Sequence, residues 1–155
     1  MTLRIRATIL QTPARDRLEH LPDHIIEIDG DGTIVSVTPA ADDEGAIDVA
    51  VPDRSVLVPG LIDTHLHAPQ WPQLGIGLDL PLERWLFEYT FPLEARFHDE
   101  RFAREVWAEM VPALLALGTT TAVYHASLHE PATLALAETC ADIGQRALVG
   151  RVAMD

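Results

Sequence analysis

The stretch Ser55-Val56-Leu57-Val58-Pro59-Gly60-Leu61-Ile62-Asp63-Thr64-His65-Leu66-His67 decides how the chain is read. Its first nine residues form an apolar run with a bend at Pro59-Gly60. Such a run is what a strand buried on both faces requires, because a parallel sheet is covered by helices on either side. The run stops at Asp63-Thr64-His65-Leu66-His67. Side chains alternate along a strand, so His65 and His67 project to one side while Leu66 faces away into packing. Two imidazoles at that spacing can reach one metal ion, and imidazole suits zinc or iron. A bare His-x-His also fits two surface or turn histidines. What favours metal is the position at the C-terminal end of a buried strand, where parallel α/β folds build their active sites.

Downstream, the pattern alternates. Leu82, Trp85, Leu86 and Tyr89 follow helical spacing, and Pro92 is expected to end that helix. Asp99 can cap a second helix whose buried stripe is Phe102, Val106, Met110, Leu114 and Leu117, with a bend at Pro112 and a stop at Gly118. Thr119 to Tyr124 is β-branched and reads as a second buried strand. Pro131 suits the first turn of a third helix over Leu134 to Ile143, stopped by Gly144, and Ala147 to Ala153 reads as another buried strand. Strand, helix, strand, helix, strand implies parallel βαβ units.

Upstream the texture differs. Residues 3–10 and 24–38 read as strands, with a hairpin turn at Asp29-Gly30-Asp31-Gly32 between Ile25-Ile26-Glu27-Ile28 and Thr33-Ile34-Val35-Ser36-Val37. Residues 39–55 read as an acidic surface connection. The organisation expected is therefore a small strand-rich unit over 1–55, marginal without partners, and an α/β unit over 56–155.

Eleven Lys and Arg against 24 Asp and Glu give a formal charge of −13, a field that repels phosphate backbones and anionic lipid. Nucleic acid and membrane surfaces are therefore not expected partners. No stretch approaches the roughly 20 apolar residues of a membrane helix, and Met1-Thr2-Leu3-Arg4-Ile5-Arg6 does not resemble a signal peptide. Cys140 is the only cysteine, so no intramolecular disulfide can form, which suits a cytoplasmic location. Gly-rich phosphate loops and serine nucleophile elbows are absent from the sequence.

The nonapeptide Pro59 to His67 resembles the metal-binding motif of the amidohydrolase superfamily. The likeness continues through Ala68-Pro69-Gln70, Leu78-Asp79-Leu80-Pro81-Leu82, Trp85-Leu86, Tyr89-Thr90-Phe91-Pro92 with Glu94, and Gly118-Thr119-Thr120-Thr121-Ala122. It ends with Gly144-Gln145-Arg146-Ala147, Val149-Gly150 and Met154-Asp155. Over about residues 56–155 these blocks resemble the guanine deaminases of that superfamily. The histidine motif alone would also fit hydantoinases and chlorohydrolases, whereas the Ala-Pro-Gln and Tyr-Thr-Phe-Pro blocks are more specific.

The resemblance implies an α/β fold: the first three or so units of a TIM-like (β/α) barrel, preceded by part of a small β-sandwich. It implies hydrolysis of guanine to xanthine and ammonia, with zinc, or alternatively iron, activating water. His65 and His67 would be metal ligands. Gln70 would hydrogen-bond the purine edge, since an amide offers a donor and an acceptor together. Trp71 could line the purine pocket or simply cover a loop, and Trp85, on an apolar stripe, is expected in the core. Asp63 is expected to support the strand end or a ligand. His129 matches a histidine common in the family; His125 matches no family ligand, and neither is expected to bind metal directly. His20, His24 and His98 are expected in solvent, and Cys140 packed.

A full barrel takes roughly 250 residues, and the family's remaining ligands and its proton-shuttling glutamate lie on later strands. The catalytic acid and base are therefore expected beyond residue 155, the chain alone is expected to be inactive, and it would need a partner chain or form the homodimer usual in the family. Two other readings remain: a different amidohydrolase acting on cytosine, 8-oxoguanine or an s-triazine, and a non-catalytic chain that pairs with a homologue.

Overall fold

A computed structural model describes residues 2–153, so Met154-Asp155, the last residues of the resemblance, lie outside the described residues. The chain divides into two compact units, Met1–Pro59 and Gly60–Asp155.

The first unit is a five-stranded sheet. Strands β1 (Leu3–Ala14) and β2 (Arg17–Ile28) form an antiparallel hairpin, and β3 (Ile34–Pro39) adds to β2 through the expected turn. In that turn Asp29 Oδ1 accepts from the backbone N–H groups of Asp31 (3.0 Å) and Thr33 (2.9 Å), and Gly32 takes φ +82°. Residues 11–14 and 17–23, outside the strands read from the sequence, extend both hairpin arms. The acidic connection also contributes to the sheet through β4 (Val49–Ala50), and β5 (Val56–Leu57) follows it; each pairs in parallel with β1. Ala7, Ile9 and Ile26 form its small buried core. The apolar run over residues 55–63 is thus split between two strands, β5 in this sheet and β6 (Leu61–His67) in the other, separated by the bend at Pro59-Gly60. The unit accordingly ends at Pro59, four residues beyond the composition shift.

The second unit is a parallel sheet in the order β6-β7-β8, with β7 spanning Thr119–His125 and β8 Arg146–Gly150. Between β6 and β7 come a 3-10 turn over Ala68–Gln73 and the helices α1 (Leu82–Trp85), α2 (Phe91–Ala95) and α3 (Glu100–Ala116). Helix α4 (Glu130–Ile143) joins β7 to β8. Asp99 caps α3 as expected, its Oδ1 accepting from Arg101 N–H at 2.9 Å and Phe102 N–H at 3.4 Å. Gly144 closes α4 in the left-handed region at φ +86°.

Pro92 does not end the helical segment. A π-helical turn over Leu86–Thr90 precedes it, and Pro92 sits in the first turn of α2, where a missing N–H breaks no helical bond. The core lies on the helix side of the sheet. Trp107, Met110 and Val111 of α3, Ala122 and Tyr124 of β7 and Leu136 of α4 are buried together, with Leu66 of β6 packed against them. The expected burial of β6 and β8 on both faces is not found: Ile62 is 67% exposed and Leu148 60%. Among the described residues helices cover one face of this sheet only. β8 also stops at Gly150, short of the expected Ala153. His24 is half-buried, its Nδ1 2.9 Å from the Pro22 carbonyl, while His20 and His98 are exposed as expected.

Candidate metal centre

β6 presents His65 and His67 on the face opposite Leu66, which packs into the core. Their rings are 5.0 Å apart between centroids. β7 pairs with β6 in parallel so that His125 lies directly beside His67, each the last residue of its strand. On β7 the alternation buries Ala122 and Tyr124 toward the helices, which turns His125 to the histidine face. The three imidazoles converge. His125 lies 4.6 Å from the His65 ring and 4.8 Å from the His67 ring between centroids, nearly parallel to the latter. One ligating nitrogen from each falls within 4.8 Å of the other two, and His125 Nε2 is 3.2 Å from His65 Nδ1.

His125, set aside from direct metal binding in the sequence, is carried beside the pair by the strand register. The signal was present in the sequence. Both strands end in a histidine, and laying the two parallel runs end to end places those residues together. The arrangement also fits the implied ion. Zinc–imidazole bonds of 2.0–2.1 Å in tetrahedral geometry hold ligand nitrogens about 3.3 Å apart, close to the separation of His125 from His65. His67 is exposed, yet partial desolvation, then the neighbouring His125 and His65, push its imidazole below its ordinary value, toward the neutral form that can ligate. Asp63 plays the expected supporting part, its Oδ1 accepting from the His65 backbone N–H at 3.0 Å.

The remaining candidates separate. Gln70 is half-buried in the turn after β6, and its Nε2 donates to Glu94 Oε1 at 3.2 Å. Gln73 from the same turn donates from Nε2 to Thr90 Oγ1 at 2.8 Å, with both residues buried. Two glutamine amides thus dock this turn on the segment Thr90 to Glu94. Trp71 packs against the core cluster. It lines a shallow depression with Pro72, Leu74, Phe102, Val106 and Glu109, which neither Gln70 nor the histidines line. Trp85, expected in the core, instead donates from Nε1 to the Ile76 carbonyl at 3.0 Å and pins the loop before α1. His129 stands apart from the cluster, with its ring 6.2 Å from that of His98. Cys140 is buried as expected.

Comparison with known proteins adds to this geometry. Residues 56–155 match the model of the amidohydrolase family. The guanine deaminase of Dictyostelium discoideum is 38% identical over 97% of this chain, which spans 37% of that protein's length. Among solved structures, guanine deaminase from C. acetobutylicum with bound guanine superimposes with a TM-score of 0.87 at 32% identity, covering 100% of this chain and 37% of that one. An adenosine deaminase from Xanthomonas campestris with bound zinc gives a TM-score of 0.77 at 30% identity, over 96% of this chain and 33% of that one.

Proposed function

The chain belongs to the amidohydrolase family, and we propose that it carries the metal-holding, purine-contacting N-terminal part of a guanine deaminase. In this reading residues 1–55 contribute strands to a small β-sandwich, and the sheet β6-β7-β8 with its helices forms the opening units of a (β/α) barrel. The observation that carries the proposal is the convergence of His65 and His67 at the C-terminal end of β6. It is joined by the likeness to guanine deaminases over nearly the whole chain. The lone buried Cys140 accords with a reducing cytoplasm.

Zinc is the ion proposed, because the donor set is imidazole and because a zinc-holding relative shares the fold. Such an ion, when bound, supplies Lewis-acid activation of water near neutral pH. The chain's own residues hold and orient. Asp63 fixes the backbone at His65 and so fixes the ring that follows. Glu94 can only accept when ionised, so the Gln70 NH2 group must face it and the Gln70 carbonyl oxygen is left for a purine N–H. Trp71 holds the turn carrying Gln70 against the helical layer.

The test is thermal shift of the zinc-loaded protein with a panel of bases. Guanine is expected to raise the melting temperature, and cytosine and s-triazines are expected to leave it unchanged. Gln70→Ala should remove the guanine response while keeping zinc. A response to cytosine or triazine equal to that for guanine sinks the substrate assignment in favour of another amidohydrolase.

A further inference from the structure

We propose that His125 is a third protein ligand, so that residues from two adjacent strands of this chain hold a divalent transition metal ion by three imidazoles. This rests on the reading of His65 and His67 as metal ligands and adds a residue to it. Three observations converge. The parallel register sets His125 beside His67 at the matching ends of β6 and β7. The 3.2 Å between His125 Nε2 and His65 Nδ1 is about the spacing of two nitrogens sharing one tetrahedral ion. Finally, the third imidazole stands within the same 4.8 Å envelope. A positioning hydrogen bond from His125 to His65 would account for the first pair of atoms alone. The stacking of His67 on His125 at 4.8 Å follows from their pairing on adjacent strands and leaves the choice to the imidazole count on the bound ion.

The three side chains sit on rigid strand ends, and the flanking residues are fixed. Leu66 is packed and Tyr124 buried in the core, while the Ala126 N–H donates to the Gly150 carbonyl of β8 at 2.9 Å. Little ordering remains to be done on binding, which favours affinity. The consequence is that the 155-residue chain binds zinc or cobalt stoichiometrically by itself.

The experiment titrates the metal-free chain with Zn2+ by calorimetry and with Co2+ by visible absorption, and counts imidazoles by zinc K-edge X-ray absorption. His125→Gln, His67→Ala and the control His98→Gln are compared, with circular dichroism confirming their fold. Three imidazoles are expected in the parent chain and two in His125→Gln. Its affinity should fall at least about a hundredfold, the upper end of what losing an outer-shell partner costs. His98→Gln should match the parent. Should parent and His125→Gln both show two imidazoles, His125 is not a ligand while the His65–His67 reading survives. If the folded parent binds no metal, or His67→Ala binds as tightly as the parent, the reading beneath the inference falls with it. Should His125→Gln fail to fold, the parent's own imidazole count decides the matter.

Discussion

At the scale of single residues, close approach and pairing matter more than residue type. Gly60 shows this most sharply. A Cβ built there would stand 2.0 Å from Thr120 Oγ1 and 2.7 Å from Thr120 Cβ, so the bend before β6 exists only because residue 60 has no side chain. Gly60→Ala is expected to cost about 1–3 kcal/mol as an overpacked site, read as a lowered urea midpoint at unchanged slope. Adding Thr120→Gly should recover part of the loss, because neighbouring substitutions couple; a Gly60→Ala chain as stable as its parent would mean that the bend is not held by this contact.

The same scale separates what could be read beforehand. His65 and His67 were legible because alternation along one strand is a local rule. His125 was not read, because its place depends on how two strands align across some fifty residues, including three helices and a π-helical turn. Glu94 and Thr90 were likewise visible only as parts of a familiar block. Their physical task, holding Gln70 and Gln73, appears only when the turn after β6 folds against them.

At the scale of elements, the signals that worked were those written into a few adjacent residues. Asp99 before α3, Gly144 after α4 and the Asp29–Gly32 turn each act through backbone groups two to four positions away. Asp99→Ala is therefore expected to destabilise the second unit by about 1 kcal/mol, measurable by denaturant melting. Asp99→Ser should restore most of that, since a hydroxyl can accept from the same N–H groups; no loss in the alanine variant would show that α3 draws nothing from its cap.

Where the element reading failed, a longer-range term intervened. Pro92 lacks an N–H, but a wide turn preceding it removes the need for one, and nothing in the local pattern announces a π-helical turn. The short strand β4 was invisible because two residues carry no period, and β5 was read as one strand with β6. Only the partner β1 makes them strands. Burial on both faces of β6 was inferred from its apolar content, yet helices reach only the side that carries Leu66.

At the scale of the whole molecule, the two units differ in the groups whose ionisation folding perturbs, and so they should differ in their response to pH. All nine aromatic residues other than histidine, and the one cysteine, lie in the second unit. Within it Cys140 and Tyr124 meet around Gln145. The Tyr124 hydroxyl donates to Gln145 Oε1 at 2.7 Å, and the Cys140 thiol lies 3.6 Å from the same oxygen. Burial pushes the thiol from its ordinary 9.0 up to about 11 and raises the Tyr124 hydroxyl as well.

Both groups are acids whose neutral form the fold favours, so below about pH 9 their contribution to stability is complete. Above that the unfolded chain releases its thiol proton while the folded chain keeps it, and stability falls as pH rises toward about 11. The first unit has no cysteine or tyrosine. Its perturbed acids are carboxylates: the backbone N–H of Gly45 and then Arg4 hold Asp43 down, and Arg6 does the same for Asp23. Their contribution is present above the ordinary carboxylate range and lost as pH falls through the lowered values. It is small, because pairs such as Arg6–Asp23 are half exposed.

Alkali should therefore loosen the second unit, whereas acid acts on both, through the carboxylates of the first and the lowered His67 imidazole of the second. Tryptophan fluorescence reports only on the second unit, since Trp71, Trp85 and Trp107 all lie there, whereas the far-ultraviolet signal of the five-stranded sheet follows the first. The fluorescence-detected melting temperature is expected to hold from neutral pH to about 9 and then to drop toward 11. A flat profile across that interval would show that Cys140 and Tyr124 keep access to water in solution.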